Sequence, residues 1–416
     1  MNAYFCHQSS LPAGPGNRGA HMVKEVMFFT EMGYSAYPQE EALQRGYNNL
    51  MFPNEFFSAE KANELYGMYF EELQHCTEVG FDGVMINEHH NNPLSMMPSI
   101  NVIGSVLARL TKKGKICFLG NVLPIHENPL RVAEEVAMID CISGGRVVCG
   151  FVRGIGQESI ASNTNPVYNR ERFDEAHDLI IKAWTEPGPF RWEGKHYQFR
   201  VVNPWMMPLQ KPHPPIWIPG VVSPESVTWA ARHRYPYIAL APPLDLVSEI
   251  YELYDKVAAE EGYTPTSENR GYAVRVNVSD SDEKAYEEGK NFYWQQGTSF
   301  GTAPRHWQAP PGYQTRAAQQ SGRAARRETT RNVPDITPGG PSLDYEQAHA
   351  THQIVTGNPE TVIRKLKEIV DIVDPAYLVL WGREGPMKHD VAMRCIDLLA
   401  QEVIPAIKEY VPERYR

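Results

Sequence analysis

The sequence predicts a (β/α)8 barrel, an α/β fold, on three observations. Short apolar runs alternate eight times with longer segments of helical periodicity. The runs lack polar alternation, as strands buried on both faces of a parallel sheet do, and eight such units close a barrel, with an open doubly wound sheet as the competing reading. Polar residues follow several runs directly, at the strand ends where barrel enzymes carry their sites. A length of 416 residues suits one such domain with insertions.

The elements are expected in this order. A strand over 23–30 leads through a long loop to an amphipathic helix over 59–78. The next units pair a strand at 83–87 with a helix at 98–110, a strand at 116–123 with a helix at 130–141, and a strand at 147–151 with a helix at 170–184. Residues 190–202 read as a β-hairpin insertion turning at Glu193-Gly194. Strands at 215–218, 237–241 and 272–278 are followed by helices at 224–233, 246–261 and 283–294. Residues 295–352, rich in Pro, Gly, Arg and Gln without apolar periodicity, form a long insertion after the seventh strand. A helix over 359–373, a strand over 377–381 and a helix over 391–410 complete the barrel domain, which spans 23–416. Residues 1–22 read as a flexible extension, or as residues left from cloning, outside the fold.

A net charge of −10 argues against a nucleic-acid partner. The one basic cluster, at 323–331, reads as a solvated loop. No apolar run is long enough to span a membrane, and residues 1–22 hold no apolar signal core. The six cysteines form no Cys-x-x-Cys pair; Cys117, Cys141 and Cys149 read as reduced, buried small hydrophobes, which fits a cytoplasmic protein.

Three segments could carry chemistry. Asn87-Glu88-His89-His90 ends the second strand, where an imidazole can exchange protons near neutral pH; two structurally satisfied histidines are the competing reading. No second His/Glu pair at helical spacing accompanies them, so no metal site is expected. Gly150-Phe151-Val152-Arg153-Gly154-Ile155-Gly156 ends the fourth strand and sets a guanidinium among glycines, as suits a phosphate or a surface ion pair. It lacks the third glycine of a dinucleotide fingerprint, and no helix is expected directly after it. Pro219-Gly220-Val221-Val222-Ser223-Pro224-Glu225-Ser226 offers two hydroxyls at a helix start, an anion site or an ordinary serine cap. In a barrel the last two segments would be neighbours.

Together these residues resemble the bacterial-luciferase-like flavin-dependent monooxygenases. The resemblance runs from residue 23 to the C-terminus through Phe28-Phe29-Thr30-Glu31, Gly80-Phe81-Asp82-Gly83, Glu88-His89-His90, Leu123-Pro124 and Asn128-Pro129-Leu130-Arg131-Val132-Ala133-Glu134-Glu135. It continues through Asp140, Ser143-Gly144-Gly145-Arg146, the Gly150 to Gly154 stretch, Trp184, Pro214-Pro215-Ile216-Trp217 and Trp229-Ala230-Ala231. It implies a (β/α)8 barrel with a mobile lid after the seventh strand, where 295–352 lies. Carried over by position, His89 is the catalytic histidine, with Glu88 orienting it and His90 a structural donor. Arg153 and the loop of Val222, Ser223 and Ser226 hold the flavin phosphate, and the ring lies over Leu119, Gly120 and Asn121, where the family often has a cis non-prolyl bond. Val152 replaces the luciferase cysteine, Val222 an acidic residue, and the 33–58 loop is longer than in luciferases.

The implied activity is a two-component monooxygenation. FMN reduced by a separate NAD(P)H:flavin reductase reacts with dioxygen to a C4a-(hydro)peroxyflavin, which oxidises a small apolar substrate. No second nucleotide motif is visible, which favours the external reductase. Homo-oligomerisation, as a homodimer, is expected with it. Two other readings stay open: deazaflavin-dependent hydride transfer, and non-catalytic flavin binding. The aromatic Tyr34, Tyr37, Tyr47, Phe52, Phe56, Phe57, Trp307 and Tyr313 suggest an apolar or aromatic substrate, or a satellite core.

Overall fold

The computed structural model describes residues 22–38, 41, 50–292, 305–308, 310–313, 315 and 345–416. Eight parallel strands close on themselves: β1 (Glu25–Thr30), β2 (Gly83–Ile86), β3 (Lys115–Phe118), β4 (Val147–Val152), β5 (Ile216–Gly220), β6 (Tyr237–Leu240), β7 (Arg270–Val278) and β8 (Tyr377–Arg383). Closure is by β8 pairing with β1 from Glu25 opposite Tyr377 to Phe29 opposite Trp381.

Successive side chains on a strand point to opposite faces, and the core divides accordingly. Val26 and Phe28 join the layer between strands and helices. Met27 and Phe29 turn inward and fill the barrel with Met85, Cys117, Val148, Trp217, Ile238, Ala273 and Val379. The helices start and stop on local chemistry. Ser58 accepts from the Lys61 N–H at 3.2 Å to begin Ala59–Val79. Asn358 caps Pro359–Val373 with proline in the first turn, and Gly144 ends Leu130–Ser143 in the left-handed region. Gly150 has no alternative in β4, because a Cβ there would stand 1.9 Å from the Phe118 carbonyl oxygen.

The expected hairpin is present as Phe190–Glu193 and Gln198–Val202. Several details differ from the sequence reading. A four-residue strand, Ile354–Gly357, extends β7 beyond the barrel and was not expected; it is too short to show a period. The helix Tyr345–Ala350 lies inside the expected insertion, with Tyr345 and Ala348 packed into the barrel interior. Of the expected lid at 295–352, most residues, and all of the extension up to residue 21, lie outside the described residues. A helix, Gly156–Ala161, does begin directly after the Arg153 turn. Cys141 is exposed on its helix, whereas Cys117 and Cys149 are buried; all five described cysteines are free. Cis bonds among the described residues are Gly188–Pro189 and Lys211–Pro212, so the bonds around Leu119–Asn121 are trans. Among the described residues no helix is long and apolar enough to cross a membrane.

Candidate active site

The C-terminal ends of the strands bring the expected residues to one mouth, together with several that sequence reasoning missed. His89 and His90 follow β2. Both aim at one carboxylate, Glu158 on the helix Gly156–Ala161: His89 Nδ1 lies 2.9 Å from Oε1 and His90 Nδ1 2.7 Å from Oε2. A carboxylate only accepts, so each Nδ1–H donates. The other nitrogen of His89 lies 3.8 Å from Glu31, just past β1. Burial disfavours charge on His89, but the Glu158 hydrogen bond and the Glu31, Glu158 and Glu88 charges outweigh it and lift the imidazole to about 9. His90 is raised as well, against its burial, by Glu158 and Glu88. Burial works against the charge of Glu158 too, but the two histidines prevail and lower it. Glu88 faces another way: its Oε2 accepts the Ile100 N–H at 3.1 Å, at the start of helix Ile100–Leu110, and it reaches His90 only at 3.9 Å. Burial raises Glu88 to about 6.

Arg153 ends β4, beside β5, so the two anion-competent segments are neighbours. Its Nη1 donates to the Tyr313 carbonyl at 2.8 Å, its guanidinium lies 4.5 Å from the Tyr313 ring centre, and its buried Nε has no hydrogen-bond partner among the described residues. Ser223 starts helix Pro224–Arg232 without a side-chain cap; its hydroxyl donates to Glu225 at 3.0 Å. Ser226 sits in the first turn of that helix and Val222 is half-buried just before it. Two missed residues join them: Arg170 lies 3.9 Å from Glu225, which also accepts from Thr315. Two guanidiniums and a helix N-terminus meet here, with Glu225 and Asp174 as the carboxylates that act on Arg170.

Leu119, Gly120 and Asn121 link β3 to the short strand Asn121–Val122, which pairs with β4. Gly120 has φ +149°, and a Cβ would stand 2.4 Å from Val152 Cγ1. Asn121 is buried with both side-chain polar atoms unpartnered among the described residues. Across the mouth stands a second missed group. Arg275, two residues past the inward-facing Ala273, lies 4.0 Å from the Trp381 ring centre and 3.9 Å from Glu384 Oε2. Burial pushes the Glu384 carboxyl well up, Arg275 opposing and Glu31 adding to the effect. The signal available in the sequence was position for two of them: Glu31 and Glu384 directly follow strands, as the chosen motifs do, whereas Arg275 lies inside β7.

The aromatics of the loop after β1 take little part. Tyr37 packs on Phe52 and Phe52 on Phe56, and these rings join the strand–helix core. They belong to the main core rather than a satellite one, while Phe57 is exposed and Tyr47 lies outside the described residues.

The family model for luciferase-like monooxygenases matches residues 56–374. The chain belongs to the luciferase-like monooxygenase family. Among its relatives, 2,5-diketocamphane 1,2-monooxygenase 2 of Pseudomonas putida is 23% identical over 83% of this chain and 95% of its own. The oxygenating constituent of 3,6-diketocamphane monooxygenase from the same organism, a type II Baeyer–Villiger enzyme solved with FMN, superposes with a TM-score of 0.67 at 18% identity, over 92% of this chain and 98% of that one. An F420-dependent secondary alcohol dehydrogenase, solved with an F420–acetone adduct, gives 0.64 at 16% identity, over 93% and 99%. As a luciferase-like monooxygenase, this chain is an oxidoreductase whose barrel mouth combines a histidine pair held on Glu158, an arginine-bearing corner and an inward-facing Arg275–Glu384 floor.

Proposed function

We propose that the protein is a two-component monooxygenase that binds reduced FMN, supplied by a separate NAD(P)H:flavin reductase, and uses dioxygen to oxidise a small organic substrate. The observation that carries this is the set of buried polar atoms without partners among the described residues, Asn121 Oδ1 and Nδ2 and Arg153 Nε, lining one mouth. Such atoms cost free energy unless a ligand satisfies them, and a heteroaromatic ring with an anionic tail offers the amide and the guanidinium their partners. Reduced flavin, when bound, supplies the electrons that activate dioxygen.

The chain's own residues do the rest. Arg153, Arg170 and Ser226 hold the phosphate, and Gly120 lets the backbone approach the ring. His89, charged below about pH 9, holds a proton between Glu158 and Glu31. It therefore acts as a hydrogen-bond donor, where the sequence suggested proton exchange near neutral pH. The Glu384 carboxyl, pushed well up by burial, stands beside Arg275, and Trp381 supports that guanidinium. This floor suits a substrate with an apolar body and one polar oxygen, such as a carbonyl. Exposed Val102, Met138 and Ile142, on the adjacent helices Ile100–Leu110 and Leu130–Ser143, support assembly as a homodimer. A cytoplasmic location is part of the same reading.

The F420-dependent neighbour keeps hydride transfer as a second reading. One experiment separates them: reduced FMN is mixed with the protein without oxygen, air is admitted, and flavin absorbance is followed. Tight binding with reoxidation at a rate unlike that of free flavin is expected. Absence of FMN binding, together with reduction of F420 by a secondary alcohol, would sink the proposal.

A further inference from the structure

We propose a divalent-cation site outside the barrel mouth, formed by His177, Asp178 and His233, that takes a borderline metal such as Zn²⁺. His177 and Asp178 lie on helix Asn169–Thr185, and His233 directly follows helix Pro224–Arg232. Their ligand atoms all lie within 4.8 Å of one another. That is the right donor set for a zinc-like ion, two imidazoles and one carboxylate, with a fourth position left for water.

What distinguishes the cluster from a chance group is that the second nitrogen of each histidine is already engaged. His233 Nδ1 lies 2.9 Å from the Trp229 carbonyl. A carbonyl only accepts, so Nδ1 carries the proton and Nε2 is left with a lone pair. Trp229 also stacks on the His233 ring at 3.8 Å and fixes its plane. His177 Nε2 lies 3.1 Å from the Tyr235 hydroxyl, and its Nδ1 faces Asp178 Oδ1 at 3.1 Å. A hydroxyl can donate or accept, so Tyr235 can follow the ring when a metal takes Nδ1 in place of the proton. Outer partners of this kind orient imidazole ligands in metal sites.

His177 is buried beside the rings of Trp229, His233 and Tyr235, which hold its imidazole in place. Asp174, one turn earlier on the same helix, carries a buried Oδ1 with no partner among the described residues. Asp174 and Asp178 thus set two carboxyl groups on the helix that also carries His177. The ion would tie the helix bearing Arg170 to the helix bearing Ser226, below the corner assigned to the phosphate.

The test uses the full-length protein, stripped with chelator and titrated with Co²⁺. The expected result is the intense visible absorption of four-coordinate cobalt, displaced by Zn²⁺, and a rise in melting temperature with Zn²⁺. His233→Ala and Asp178→Asn should each weaken binding by about tenfold or more and abolish the thermal shift. Both positions are exposed, so these variants should fold. A cobalt spectrum that stays six-coordinate, or equal binding by the wild type and both variants, would overturn the site. Neither outcome depends on flavin or on turnover.

Discussion

Arg383 and Glu384 are chain neighbours at the end of β8, yet they enter opposite kinds of network. Arg383 turns outward and meets Glu72 on helix Ala59–Val79: its Nε lies 3.0 and 3.1 Å from the two carboxylate oxygens. Its Nη1 donates to the Glu384 carbonyl at 2.6 Å, and His389 Nδ1 completes Glu72 at 2.9 Å. Glu384 turns inward and finds Arg275 only at 3.9 Å, its Oε2 without a hydrogen bond among the described residues. Both carboxylates are buried. The difference teaches that burial of a carboxyl alone does not mark function: Glu72 is fully partnered, and Glu384, at the mouth, is not. The first network joins strand to helix, and the second waits at the mouth.

If that division is right, removing a partner from the outward network should cost the most stability. Glu72→Ala leaves a buried guanidinium uncompensated and should lower unfolding free energy by about 3–5 kcal/mol in urea titrations. A loss below about 1 kcal/mol would erase the contrast.

The mouth should respond in rate instead. His89→Ala should fold and bind FMN, yet lose substrate oxidation by roughly 10²–10⁴-fold and release hydrogen peroxide. The measure is product formed per NAD(P)H consumed with a generic flavin reductase. Wild-type coupling in the variant would make His89 structural.

Arg153→Ala should weaken FMN binding by roughly tenfold to a hundredfold, since a guanidinium–phosphate pair contributes about 1.5–3 kcal/mol. Fluorescence titration with unchanged affinity would move the phosphate elsewhere.

The histidine pair also predicts a pH signature. His89 titrates near 9 in the folded chain, above the ordinary 6.5. Its contribution to stability is therefore full below about pH 6.5 and is lost as pH rises through about 9. Stability curves over that window should slope downward, and Glu158→Gln should flatten them; a parallel slope in the variant would assign the proton to another group.

The smallest effect belongs to Glu384→Gln. A carboxyl and an amide are near in shape, and Glu384 makes no close ion pair, so stability should change by less than about 1 kcal/mol, while KM for substrate shifts. An effect as large as that at Glu72 would merge the two networks.

Much of the barrel was legible in the sequence because its signals are local. Residues 359–373 show an amphipathic period behind Asn358 and Pro359, and the helix has those bounds. Strands announced themselves as apolar runs, since both faces are buried. Glu158 was invisible for the opposite reason. It sits on a six-residue helix with no readable period, and its partners are 68 and 69 positions away. Cys141 shows the same limit: its apolar neighbours Met138 and Ile142 are themselves exposed, so local hydrophobicity mistook a surface for a core. The phosphate corner was half legible. Ser223 and Arg153 stood out by type, but Arg170 and Glu225 looked like ordinary helix-surface charges.

One further consequence comes from Phe292 and Tyr345. Both side chains are seated in the barrel interior, one on each side of the segment after β7. Tyr345 also donates to the Tyr286 carbonyl at 2.7 Å, and Ile354–Gly357 then runs alongside β7. The two banks of the segment are thus moored independently of what lies between them. Closing a loop costs only about 0.6 kcal/mol more for each doubling of its length. Descent can therefore lengthen, shorten or rewrite that span while the eight strands keep their register.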